Sequence, residues 1–280
     1  MQPTNIVPRK KSSRRLGAVL MALMVCMISG STLAQGDWAS SRYKTVYKFS
    51  GSPNQTGPTS GLTSDSTGNL YGTIGDGGRE GYGTVFELTP NGDGGWKEQV
   101  LYSFQVADGE TPSAGLIFDS VGNLYGTTVY GGANGDGTVF ELTPSGSGGW
   151  RERVLHSFGV TDGAYPHSGL IFDSAGNLYG TTVYGGANDY GTVFELMPKG
   201  DRWGENVLHS FGVTDGATPF AGLVFDSAGN LYGTTWDTLQ GETGIVFELT
   251  PNGMARGMRP RSIASVPAGA ALMEQAPTVA

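Results

Sequence analysis

Gly115-Leu116-Ile117-Phe118-Asp119-Ser120-Val121-Gly122-Asn123-Leu124-Tyr125-Gly126-Thr127 returns almost unchanged at 169–181 and 222–234, and in looser form at 61–73. Successive starts lie 54, 54 and 53 residues apart. A second block, Gly-Thr-Val-Phe-Glu-Leu-Thr-Pro, keeps the same spacing at 83–90 and 137–144, with variants at 191–198 and 244–251. A third, Trp-x-Glu-x-Val-Leu-x-Ser-Phe, occupies 96–104, 150–158 and 203–211. Self-similarity at a fixed period of this length marks a repeat architecture in which each unit buries its apolar surface against its neighbours.

Within a repeat the blocks predict four short antiparallel strands. In the second repeat these are A at 115–119, B at 124–128, C at 137–143 and D at 153–158. No helical period runs through them, and the runs are rich in β-branched and aromatic residues. The A–B link is a tight hairpin, with Asp119 placed to cap turn N–H groups and Gly122 free to take a positive φ. Four antiparallel strands per roughly 50 residues is the unit of a β-propeller blade. The expected fold is therefore all-β, a β-propeller of four repeats of about 54 residues. The fourth repeat has A, B and C but no D, whereas a D-like run lies ahead of the first repeat at 43–49. Joining that run to the last blade would close the ring and remove exposed sheet edges. The alternatives are an open repeat array or a fragment of a larger propeller.

The flanks differ from the repeats. Residues 1–34 read as a secretory signal: Arg9, Lys10, Lys11, Arg14 and Arg15 precede an apolar run from Leu16 to about Ile28, and Thr32 and Ala34 supply small residues for cleavage. The run is shorter than the roughly 20 residues a membrane span needs, so no stable span is expected after cleavage. Residues 35–251 form the repeat domain, and 252–280 read as an unstructured tail. The expected location is secreted or otherwise extracytoplasmic.

Composition narrows the chemistry. The chain has 47 glycines among 280 residues, and they recur at fixed positions, as tight turns between short strands require. The lone cysteine, Cys26, lies in the leader, so the exported chain has neither disulfide nor thiolate. The leader also holds five of the 17 basic residues and no acid, which leaves 12 basic against 25 acidic residues, net −13. Nucleic acid is excluded as a partner class, because phosphate binding needs clustered Lys and Arg.

The motif Asp-x-x-Gly-Asn-Leu-Tyr-Gly-Thr, followed by Gly-Thr-Val-Phe-Glu-Leu and Val-Leu-x-Ser-Phe, resembles the GloVer tandem-repeat family of bacterial exported proteins over residues 43–251. The order of blocks is more distantly similar to NHL-type and streptogramin-lyase-like propellers. The resemblance implies a secreted or surface protein of unassigned biochemical role.

Recurrence sorts the candidate residues. Those present in every repeat are expected to solve a shared folding problem. Glu87, Glu141, Glu195 and Glu248 should make cross-strand bonds, and Asp65, Asp119, Asp173 and Asp226 should cap hairpins. Trp96, Trp150 and Trp203 should wedge between blades. His156 and His209 interchange with Tyr102, which argues for packing. No metal or nucleophile motif is present, and no cofactor is implied. Ligand contacts are expected instead on the face where the B–C and D–A loops emerge, at Tyr130, Asn134, Tyr184, Asn188, Trp236 and Asp237. Trp236-Asp237 breaks the Val-Tyr-Gly-Gly pattern that opens the B–C loops of the second and third repeats. The leading expectation is a non-enzymatic binding or scaffolding module for a glycan or surface partner. The alternatives are a polysaccharide lyase or hydrolase using Asp237 or Glu242 with His167, and a calcium site at Asp136 and Asp189.

Overall fold

The structure is a computed structural model, and it describes residues 42–50, 57–146, 148–237 and 244–251. The leader, the tail 252–280 and Glu242 lie outside the described residues. Residues up to Thr45 and from Val46 onward form two units. In the first, the Tyr43 hydroxyl lies 3.3 Å from that of Thr45. The second holds the repeats.

Each repeat folds as one antiparallel sheet. The first contains β1 (Thr63–Ser64), β2 (Leu70–Ile74), β3 (Thr84–Pro90) and β4 (Trp96–Ser103). The second contains β5 (Ile117–Phe118), β6 (Leu124–Thr128), β7 (Thr138–Pro144) and β8 (Trp150–Ser157). The third contains β9 (Ile171–Phe172), β10 (Leu178–Thr182), β11 (Thr192–Lys199) and β12 (Arg202–Ser210). Among the described residues the fourth contains three strands, β13 (Val224–Phe225), β14 (Leu231–Thr234) and β15 (Val246–Leu249). The all-β expectation of four successive antiparallel sheets is met, and among the described residues the fourth repeat shows no D strand. Two details differ. The A strands keep only two ladder residues, and the D strand of the second repeat starts at Trp150 rather than at 153.

The blocks make sense as sheets buried on both faces. Successive strand residues point to opposite faces, so β7 sends Val139 and Glu141 toward the third repeat and Phe140 and Leu142 toward the first. Phe140 and Leu142 join Tyr71, Val85, Leu101 and Phe104 of the first repeat in one apolar cluster. Val139 and Tyr125 join Leu170, Leu178, Phe194 and Leu196 of the third. The next junction repeats the scheme with Val193, Phe211, Leu223 and Phe247. Trp150 and Trp203 pack on these junctions, as expected. Gly126 recurs because it lies opposite Phe140 in the ladder, and a Cβ there would stand 2.6 Å from the ring's Cζ. A β-bulge between Val139 and Phe140 recurs in the first and third repeats and adds local twist.

The N-terminal run departs from expectation. Residues 42–50 form no strand, and among the described residues β15 pairs only with β14. Tyr47 and Phe49 instead pack on the first sheet, against Phe86, Leu88, Leu70 and Trp96. The reason is visible in the rings. Phe49 lies edge-on to Phe86 at 4.9 Å, as Phe104 does to Phe140 at 5.0 Å. The run has found the place that a D strand occupies against the following repeat.

Candidate binding face

The repeated carboxylates are consumed by the fold. Asp119 Oδ1 accepts the backbone N–H groups of Val121 and Asn123, both at 2.9 Å, and Oδ2 accepts Asn123 Nδ2 at 2.8 Å. Burial works against its charge, but these donors outweigh it and hold the carboxyl below its ordinary range. The Tyr125 hydroxyl lies 3.1 Å from Asp119 Oδ2 and donates to Glu141 Oε1 at 2.8 Å. Burial and then Glu141 push this phenol well above its usual pKa. Asp65–Tyr71–Glu87, Asp173–Tyr179–Glu195 and Asp226–Tyr232–Glu248 repeat the arrangement. The interchange of His156 and His209 with Tyr102 also has a structural reason. Each reaches an aspartate of the following loop: His156 Nε2 lies 3.0 Å from Asp162, His209 Nε2 lies 3.0 Å from Asp215, and the Tyr102 hydroxyl donates to Asp108 at 2.6 Å.

The D–A and B–C loops do form one face. Glu110 pairs with Tyr130 and Ala164 with Tyr184, each through two backbone bonds of 2.8 and 3.0 Å, and Ala217 pairs with Asp237. The next residue of each D–A loop reaches back to the previous repeat: Thr111 N–H donates to Tyr82 O, Tyr165 N–H to Asp136 O and Thr218 N–H to Tyr190 O. Those three residues have φ of 58°, 57° and 53°, a region that side chains other than glycine seldom occupy. Hydrogen bonds to both neighbouring repeats hold the strain.

Tyr165 gives the strained position an aromatic ring. It packs edge-on between Tyr130, at 5.2 Å, and Tyr184, at 6.0 Å, so three phenols from three loops form a row across the second and third repeats. Tyr130 and Tyr184 remain 44% and 43% exposed. A second row begins two residues further along the same loop. His167 contacts Phe220 at 5.3 Å, and Phe220 contacts Trp236 at 6.1 Å. Trp236 occupies the slot where Val129 and Val183 are buried to 1% exposure, yet it is itself 74% exposed. Burial lowers the His167 pKa, so its imidazole is neutral near pH 7. Tyr165 and Phe220 were not legible as site residues. Their one sequence signal was departure from Thr111 and Ser113, the corresponding residues of the first D–A loop.

The structure separates the other candidates. Asn134 Nδ2 donates to Phe158 O at 2.8 Å and Asn188 Nδ2 to Phe211 O at 2.9 Å, so both amides brace the ends of D strands. Asn134→Ala should therefore cost about 1 kcal/mol of stability, the usual worth of such a bond; a thermal melt would register this, with ligand affinity preserved. Asp237 is tied to Ala217 through its backbone. Asp189 Oδ1 accepts the Gly185 N–H at 2.9 Å, which gives it a loop-capping role. Among the described residues, no three or more His, Cys, Asp and Glu side chains group as a metal site. Also among the described residues, no helix is long and apolar enough to cross a membrane.

Fold and face together define an all-β repeat protein with propeller-like sheets and one aromatic loop surface. The chain belongs to the Gloeobacter/Verrucomicrobia repeat family, whose model matches residues 29–148 and 58–259. The resemblance carried by the repeat blocks is thus borne out. No curated protein matches the chain. Among solved structures, a luciferin-regenerating enzyme is similar at 20% identity and TM-score 0.43, over 69% of this chain and 61% of that one. A Dyadobacter fermentans protein of unknown function is similar at 12% identity and TM-score 0.45, over 68% and 64%. The chain spans less than two thirds of the length of each.

Proposed function

We propose that this is an exported, non-enzymatic binding module that takes a glycan on the loop face of a β-propeller. The observation that carries this reading is the pair of aromatic rows, Tyr130–Tyr165–Tyr184 and His167–Phe220–Trp236. Tyr and Trp rings offer rigid apolar faces with polar edges, which suits sugar rings. The acidic balance and the neutral His167 favour an uncharged glycan over a polyanion. Export rests on the leader at 1–34, and the propeller reading rests on the serial packing of the four sheets.

The test uses glycan-array binding followed by calorimetry on the best hit. Tyr165→Gly removes the central ring while suiting the positive φ, so the fold should hold. Both it and Trp236→Ala should weaken binding about tenfold, the effect of roughly 1.4 kcal/mol. Unchanged affinity in both variants, with wild-type melting curves, would dismiss this face as the site. Release of new sugar ends from the same glycans would make the protein an enzyme instead.

A further inference from the structure

The two ends of the repeat series carry complementary halves of one missing sheet. At each internal junction the outgoing side presents a β-strand valine, and Val85, Val139 and Val193 are all 0% exposed. The matching Val246 of the fourth repeat is 51% exposed, and Val224 and Thr234 beside it are also exposed. On the incoming side, Leu116, Leu170 and Leu223 are buried, whereas Leu62 of the first repeat is 52% exposed. Among the described residues the fourth sheet also has no D strand, and the outer edge of β15 carries no ladder.

The first repeat holds a counterpart of the strand that the fourth does not show among the described residues. Phe49 lies on Phe86 at 4.9 Å and 70°, the geometry with which Phe158 meets Phe194 at 5.0 Å and 63° and Phe211 meets Phe247 at 5.1 Å and 64°. Tyr47, two residues earlier, corresponds to Tyr102, His156 and His209. It donates to Glu98 Oε2 at 2.9 Å, so the run is anchored on the first sheet as a D strand without a sheet of its own.

We propose that the outgoing face of the fourth repeat, bare among the described residues, docks onto the incoming face of the first repeat of a second copy of this chain. There, β15 takes the second copy's Val46–Phe49 run as its fourth strand. The internal ladders set the register. Val85 pairs with Tyr102, Val139 with His156 and Val193 with His209; Val246 then pairs with the second copy's Tyr47. The junction continues an interface that the chain already builds three times, which is why a second copy is the occupant. One element is weaker: Ser64 stands where Phe118, Phe172 and Phe225 meet the tyrosine of the preceding sheet. The association is therefore reversible and concentration-dependent. A head-to-tail contact of this kind either closes into a ring of copies or extends as a filament.

The test is light scattering across a hundredfold concentration range, with two variants at exposed positions. Val246→Asp disables only the outgoing face, and Leu62→Asp only the incoming face. Wild type should gain mass with concentration, as two chains or as a growing series. Each variant alone should stay at one chain. Their equimolar mixture should recover a two-chain particle that grows no further, because one sound face of each kind remains. A mixture that stays monomeric overturns the proposal. Hydrogen exchange on unaltered protein gives an independent readout. Amides of Val246–Leu249 should become slower to exchange as concentration rises. Protection that is strong at every concentration, in a particle of constant one-chain mass, would mean that the same chain covers the face, and the proposal fails.

Discussion

Phe194→Ala should destabilise the repeat domain by about 3–5 kcal/mol, the range for emptying a buried aromatic site. Its ring has no exposed surface, meets Phe158 edge-on at 5.0 Å and lies over Gly180. Against the usual 5–15 kcal/mol of a folded domain, that loss is large. A drop of roughly 10 °C in the thermal midpoint follows from 2–4 °C per kcal/mol at this size. Simple cavity formation and the lock between glycine and phenylalanine can be told apart. Gly180→Ala alone should also destabilise, because its Cβ would stand 2.6 Å from Phe194 Cζ and 3.1 Å from Leu170 Cδ2. In the double variant the new methyl enters space that the ring has left. The double variant should therefore lose clearly less than the two single losses added together. Simple additivity would mean that the ring and the glycine act independently, contrary to the packing described.

That lock explains why so much of the fold was legible in the sequence. Gly126, Phe140, Tyr125 and Glu141 recur because each solves a contact that every repeat must make, and identity at a fixed period exposes such residues. The same logic located the aspartate caps correctly, because Asp119 and Asn123 lie within one hairpin. Contacts between repeats were harder to read. The partners of Tyr102 and His156 are aspartates six residues on, across a loop whose path the sequence does not specify. The run at 43–49 was recognised by its pattern, but pattern alone could not say which sheet would hold it. Phe49 found Phe86 through ring packing rather than strand pairing. Of the loop face, the departure at Trp236 was legible. The role of Tyr165 was not, because it depends on a left-handed backbone that no glycine announces. Asn134 was legible as a loop residue, but its amide bond to Phe158 O was not, because that carbonyl lies 24 residues further along the chain.

Glu152→Gln should stabilise the protein at pH 9 and do little at pH 4. Glu152 and Glu205 follow the tryptophans of β8 and β12, where they face the preceding repeat, and in each Oε1 is buried without a hydrogen-bond partner. At the first junction Glu98 receives the Tyr47 hydroxyl, but Tyr102 gives its hydroxyl to Asp108 and leaves Glu152 without it. Burial, and then the charge of Asp108, pushes the Glu152 carboxyl up to about 8. Burial also raises Glu205 to about 7; His156 lowers it and Asp162 raises it. The folded value is raised in both cases. Their stabilising contribution is therefore complete below the unfolded value of about 4.3, and it is lost as pH rises through about 7 and about 8. Both groups keep some solvent contact, which cuts the effect to on the order of 1–2 kcal/mol each. Glutamine cannot ionise, so each variant should melt several degrees higher than wild type at pH 9, with the gain vanishing toward pH 4. The aspartate caps have the opposite sign. Asp119 and Asp173 are held below their ordinary range, so their stabilisation is lost on acidification in wild type and variants alike, and it cancels from the comparison. Equal gains at both pH values would mean that glutamine merely packs better. No gain at pH 9 would mean that water reaches these carboxylates, and that the junctions are looser than their buried valines and phenylalanines require.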